Sequence, residues 1–157
     1  MTTITQTDYH VSIVVPGSTQ TASDSISRVS DWWTVNATGD TINEGGVFLV
    51  PFGETFARFK IVENIPGKKI RWHILDCNLH WLKNKKEWKD TEILWEISPI
   101  GDSTRIDMTH IGLVPEIECF EDCNKGWNHY IRVSLYKLLT EGRGEPDHKN
   151  YSALERQ

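Results

Sequence analysis

Polar and apolar residues alternate from Tyr9 to Val15. Tyr9, Val11, Ile13 and Val15 fall on one side and His10, Ser12 and Val14 on the other, the period of a half-buried strand. Pro16 and Gly17 end that run, Ser18 or Thr19 can cap a helix, and Ala22, Ile26, Val29 and Trp33 then recur at helical spacing. The Ser and Thr content predicts a short, weakly formed helix over part of Ser18 to Val29. From Val35 onward the period returns to two. Single strand faces are defined by Phe48, Val50 and Phe52, by Ala57, Phe59 and Ile61, and by Ile70, Trp72 and Ile74. Two more come from Ile93, Trp95 and Ile97 and from Ile106, Met108 and His110. Turn signals at Glu44 to Gly46, Phe52 to Thr55, Ile65 to Lys69 and Ile100 to Thr104 separate them, and connections this short favour antiparallel neighbours. Asp76 to Asp90 is different. It is a polar, lysine-rich link carrying Trp81 and Trp88, and it reads as an excursion able to act as a lid.

The last third has the helical period. Steps of about 100° place Phe120, Cys123, Trp127, Tyr130, Ile131, Ser134, Leu135 and Leu138 on one side, opposite Asp122, Lys125, His129, Arg132 and Tyr136. Such a stripe needs an apolar surface to cover. One continuous helix is expected over roughly Cys119 to Glu141, stopped by Gly142. Ser134 sits near the centre of the apolar face, where a tightly packed helix would carry Leu or Ile. A small residue there leaves room, so Ser134→Leu is expected to fill a void.

The chain has 157 residues, enough for one domain with one core. Its net charge of −5 gives no electrostatic footprint for a phosphate backbone, which argues against a nucleic-acid partner. MTTITQTDYH has neither the basic nor the apolar region of a signal peptide, and no apolar run is long enough for a transmembrane segment. A cytosolic (cytoplasmic) protein is expected. Three cysteines, Cys77, Cys119 and Cys123, are an odd number, read as reduced thiols rather than a disulfide framework. The sequons at Asn36 and Asn150 then carry no weight.

Strand, short helical segment, five or more antiparallel strands and a long terminal helix describe an α+β chain, with a curved antiparallel sheet around a C-terminal helix. Within that order stand Trp32 and Trp33, PGKKIRW (Pro66 to Trp72), THIGL (Thr109 to Leu113), and Gly126 and Trp127 followed by Leu135, Leu138 and Leu139. These residues resemble the SRPBCC superfamily, the helix-grip proteins of START and Bet v 1 type, in the branch of the Hsp90 ATPase activator C-terminal domain. The resemblance covers about residues 8 to 142. It implies a helix-grip domain over residues 1–142; the polar tail that follows, 143–157, has little apolar content and is read as mobile, with a turn of helix at Ser152 to Arg156. It also implies a hydrophobic cavity for lipids, polyketides, hormones or similar molecules. It implies no single reaction and no shared catalytic set, and no cofactor is assigned.

Strand alternation and the helix face together predict the cavity walls. The sheet would present Phe48, Val50, Ala57, Phe59, Trp72, Ile74, Ile93, Trp95, Met108 and His110, and the helix Trp127, Tyr130, Ile131 and Ser134. The competing expectation is that these residues fill a solid core. Seven Trp, several facing inward beside Ala57 and Ser134, are hard to close-pack without an opening.

His110 is the titratable residue that the pattern places inside, beside Tyr130. It could serve as a general acid or base, or it could be a buried, hydrogen-bonded histidine securing the strand-to-helix junction. No inward Asp or Glu is expected to orient it, so no catalytic residue is assigned. Cys119 and Cys123 lie one helical turn apart, with His80, Glu116, Glu118 and His129 in the vicinity. The C-x3-C spacing within a helix is unlike a structural zinc knuckle, and no metal is assigned. Lys83, Lys85, Lys86 and Lys89 read as a solvated loop, with an acidic partner or membrane surface as the alternative. The resulting reading is non-covalent binding of a small apolar or amphipathic molecule. The alternatives are a protein-binding module with a chaperone partner of the Hsp90 kind, and a small cyclase- or dehydratase-type enzyme.

Overall fold

Strand β1 (Tyr9–Pro16) buries Tyr9, Val11, Ile13 and Val15, so the period-two pattern becomes one wall of the interior. The structure, a computed structural model, describes residues 8–149; the turn of helix expected at Ser152 to Arg156 lies outside them. The remaining strands are β2 (Thr38–Gly39), β3 (Val47–Phe52), β4 (Thr55–Ile65), β5 (Lys69–Asn78), β6 (Glu92–Ile100) and β7 (Ser103–Ile111). They form one curved antiparallel sheet in the order β1-β7-β6-β5-β4-β3-β2. Register aligns the inward residues: Val11 faces Met108, Met108 faces Trp95, and Phe48 faces Phe59. Two register shifts in β4, at Arg58/Phe59 and Ile61/Glu63, mark irregularities of the kind that increase local twist and bend a strand.

The first helical segment is divided. Ser18 caps α1 (Thr19–Ser27) by accepting the Thr21 N–H at 3.1 Å, and the chain leaves helical geometry at Arg28 before α2 (Val29–Trp32). The indole of Trp32 donates to the Ile26 carbonyl at 3.1 Å and holds the two pieces together. At the other end, α3 (Phe120–Asn128), a π-helical stretch (His129–Leu135) and α4 (Tyr136–Glu141) run without interruption to Gly142. Gly142 adopts the left-handed conformation (φ 81°) that stops the helix. The segment is continuous as expected, but the 3.6-residue step fails in its middle, where the Tyr136 N–H reaches the Ile131 carbonyl five residues back. The face assignment nonetheless holds through this stretch: Ile131, Ser134, Leu135 and Leu138 are buried, and His129, Arg132 and Tyr136 are exposed.

Ser134 lies on the expected face but not beside open space. Its hydroxyl donates to the Trp32 carbonyl at 2.6 Å and accepts the Glu145 N–H at 2.7 Å, and the residue is fully buried. The expected space is occupied by α2 and by the chain beyond Gly142. A Cβ on Gly144 would lie 3.1 Å from Ser134 Oγ and 2.4 Å from the Asp31 carbonyl oxygen, so the backbone crosses there in close contact. Asp147 bridges Thr34, and the Lys149 carbonyl accepts from the Asn36 side chain at 2.9 Å. Residues 143–149, read from sequence as part of a mobile tail, are thus hydrogen-bonded to the domain. Backbone pairing supplies the order that their few apolar side chains do not.

The cysteines also differ from expectation. Cys119 and Cys123 are joined as a disulfide, and Cys77 is the free, buried thiol. One helical turn separates the pair, with Cα atoms 5.7 Å apart, a distance that a bridge can span. An odd count therefore resolves into one bond and one thiol. No helix among the described residues is long and apolar enough to cross a membrane.

Candidate functional site

The inward aromatic residues form two differently packed regions. Trp72 lies at the centre of the first: its ring centroid is 5.1 Å from Phe48, 5.6 Å from Phe59 and 5.6 Å from Trp95, each in an edge-on arrangement. Ile70, Ile74, Ile93, Ile106 and Met108 belong to the same buried core. The indole N–H groups of Trp72 and Trp95 have no nitrogen or oxygen acceptor among the described residues. Edge-on aromatic neighbours are the arrangement in which π density can offset such a loss.

The second region, toward the β3–β4 hairpin, is hollow. A cavity of about 280 Å³ lies between that hairpin, the excursion after β5, and α3. Its lining comprises Trp33, Val50, Phe52, Thr55, Phe56, Ala57, Leu79, Trp81, Trp88, Asp122, Cys123, Gly126, Trp127 and Tyr130. Small residues face large ones here. A Cβ built on Gly126 meets nothing within 4 Å, so the helix itself leaves the space open.

Among the residues expected to line a cavity, Val50, Ala57, Trp127 and Tyr130 are in this lining. Phe48, Phe59, Trp72, Ile74, Ile93, Trp95, Met108, His110, Ile131 and Ser134 lie in the packed interior instead. Alternation gave their direction; it carried no measure of how fully the facing elements fill the gap. The lining residues outside the expected set come mainly from irregular segments and turn ends. The available signals were Gly126, the two tryptophans of the excursion, and Phe52 and Cys123, which the period already placed on apolar faces.

The excursion after β5 lies against the helix start through reciprocal hydrogen bonds. The Glu118 carboxylate accepts the N–H groups of Lys83 and Asn84 at 3.1 and 3.2 Å, which hold its carboxyl below the usual range. The Glu87 carboxylate accepts those of Glu118 and Cys119 at 2.8 and 2.9 Å. Leu79, Leu82 and Trp88 are buried, whereas Trp81 is half exposed and donates its indole N–H to Asp122 at 3.1 Å. Two of the four lysines serve the loop itself: Lys85 donates to the His80 and Leu82 carbonyls, and Lys86 pairs with Asp76 at 3.0 Å.

His110 stands between the two regions. Trp127 donates its indole N–H to His110 Nδ1 at 3.1 Å, and Thr91 donates its hydroxyl to the Trp88 carbonyl at 2.6 Å. That leaves Thr91 Oγ1 to accept from His110 Nε2 at 2.9 Å, so the network assigns the proton to Nε2. Complete burial pushes the His110 pKa down to about 3, and the ring is neutral. Thr91 also leaves room only for glycine at position 112: with φ 106°, a Cβ there would come within 2.6 Å of Thr91 Cγ2. In the cavity, Tyr130 keeps its proton because burial, followed by the charge of Asp147, raises its phenol to about 12. No cluster of three or more His, Cys, Asp or Glu side chains suited to a metal occurs among the described residues.

No protein-family model and no curated protein matches the chain. Solved structures do. An Aha1 dimer from Colwellia psychrerythraea, determined in solution, superposes with a TM-score of 0.72 at 21% identity, over 87% of this chain and 98% of that one. DynU16, a protein of the dynemicin biosynthetic locus, gives 0.62 at 16% identity over 89% of this chain, which spans 50% of DynU16. CalU16 from Micromonospora echinospora gives 0.60 at 17% identity, over 82% of this chain and 71% of that one. These superpositions, together with the curved antiparallel sheet and long C-terminal helix of this chain, show that it has the helix-grip, Bet v 1-like fold, similar to the Aha1 and CalU16 structures.

Proposed function

We propose that this chain binds a small apolar or amphipathic molecule non-covalently in the cavity between the sheet and the C-terminal helix. The observation that carries the reading is the hollow itself. About 280 Å³ walled largely by aromatic and aliphatic side chains, with Thr55, Tyr130 and Asp122 as polar points, has the make-up of a site for a compact ligand. The test uses Gly126. Gly126→Leu directs a side chain into open space, and loss of a helical glycine favours the fold by about 1 kcal/mol. In the parent protein, a ligand at about 100 times its dissociation constant adds about 2.7 kcal/mol of stability and changes Trp fluorescence. In Gly126→Leu both responses should vanish while the protein stays folded. A panel of fatty acids, flavonoids, polyketide-like aromatics and arylalkyl amines that moves neither signal in the parent protein would overturn the reading.

A second reading is a module that binds a chaperone of the Hsp90 kind or a second copy of itself. The fold likeness to an Aha1 dimer over nearly all of that chain favours it. Such binding needs a surface rather than a hollow, so Gly126→Leu would leave it intact. Nothing comparable favours the cyclase or dehydratase reading, since His110 is engaged in the core.

A further inference from the structure

We propose that the cavity selects a cationic amphiphile, an aromatic-sized apolar body carrying an ammonium group, over neutral or anionic molecules of the same shape. The inference rests on the ligand-binding reading above and adds to it the sign of the ligand's charge.

Among the described lining residues, Asp122 alone carries a charged side chain. It accepts the Trp81 indole N–H at 3.1 Å and forms no ion pair among the described residues, so its orientation is fixed but its charge is not neutralised. The same wall supplies aromatic surfaces. Trp127 lies 4.8 Å from Trp33 and stacks on Trp88 at 5.8 Å, and Tyr130 lies beside Phe52 at 6.1 Å. Aromatic faces carry negative quadrupole density and attract an ammonium group, more strongly where water is excluded.

An anionic ligand meets the opposite situation. No lysine, arginine or histidine lines the cavity among the described residues, and a carboxylate placed there would face Asp122 without a partner. The lysines of the excursion do not supply one. Lys86 Nζ is held 3.0 Å from Asp76, at 6.0 Å from the Phe56 ring centroid, and Lys85 Nζ is turned onto the His80 and Leu82 carbonyls.

Three probes on one naphthylmethyl body separate the outcomes: naphthylmethyl-trimethylammonium, its uncharged carbon isostere neopentylnaphthalene, and the anion naphthylacetate. Apolar burial alone ranks the isostere first, because an ammonium group must shed water. The expected order by Trp fluorescence titration is the reverse, with the cation at least about threefold tighter than the isostere and the anion weakest. Asp122→Asn, which keeps an acceptor for Trp81, should bring the cation to or below the isostere while leaving the isostere's affinity within about twofold. Equal or anion-first binding overturns the charge selection, and a cation preference that survives Asp122→Asn overturns Asp122 as its origin; both leave the cavity reading standing. If none of the three binds the parent protein, or if Gly126→Leu binds all three unchanged, the cavity reading falls and this inference falls with it.

Discussion

The interior around Trp72 and the cavity around Trp127 are built from the same residue types, yet one is solid and the other hollow. Around Trp72, rings from neighbouring strands meet edge to face, and Ile70, Ile74, Ile93 and Ile106 are buried in the same core. Around Trp127, the aromatic residues face Ala57, Cys123, Thr55 and Gly126, side chains too small to reach across. Hydrophobicity is therefore common to both regions; matching of side-chain volume is what separates them. The walls differ too. The solid part is closed by the hydrogen-bonded ladder of β4, β5 and β6, whereas the hollow part is closed by an excursion hydrogen-bonded to Glu118, Cys119 and Asp122.

The largest effect expected from this contrast is on global stability. Trp95→Ala, in the solid interior, should cost about 3–5 kcal/mol, because surrounding strands cannot collapse into the hole. Trp81→Ala, at a half-exposed position of the cavity wall, should cost less than about 1 kcal/mol while weakening ligand binding. Urea denaturation of both variants checks this; similar costs would mean that the two regions are packed alike.

Ser134→Leu probes the filled side directly. The added volume meets Trp32, Gly144 and Glu145, and two hydrogen bonds are lost, so stability should fall by about 3 kcal/mol. An unchanged denaturation midpoint would place free space beside Ser134 after all.

A smaller effect is expected at the boundary, where His110 ties Trp127 to the interior. Its pKa is depressed in the folded state, so the unfolded chain takes up a proton first as pH falls below about 6.5. The neutral ring's contribution is therefore fully present above that pH and is lost progressively down to about 3. His110→Gln removes this titration. The stability gap between wild type and the variant should narrow by about 1.4 kcal/mol per pH unit between about pH 6 and 4, measured by denaturant titration. A gap that does not change with pH would mean that His110 is protonated in the folded state.

Much of the fold was legible from period and turn chemistry. Tyr9 to Val15, the five later strand faces and the Gly142 stop all appear in the structure with the expected orientation. The candidate site was legible only in part. Val50, Ala57, Trp127 and Tyr130 point where alternation and helical spacing send them, and Phe52, Thr55 and Cys123 continue the same faces, whereas Leu79, Trp81 and Trp88 come from an aperiodic link. Aperiodic segments carry no facing information. Ser134 illustrates the complementary failure: its residue type predicted space, whereas its hydroxyl serves the Trp32 carbonyl and the Glu145 amide.

What the sequence alone determined is which side of each element is apolar, because that depends on residues two or about four positions apart. It also determined where the chain must turn, because proline fixes its own φ and glycine readily adopts the positive φ that tight turns need. Tertiary structure decided what stands opposite each apolar side. The β4 irregularities, the π-helical widening over His129–Leu135, the Cys119–Cys123 bond and the docking of the excursion on Glu118 set those distances. Each joins groups whose mutual geometry no local period records, and a void is a property of such pairings: it exists where two surfaces fail to fill the space between them.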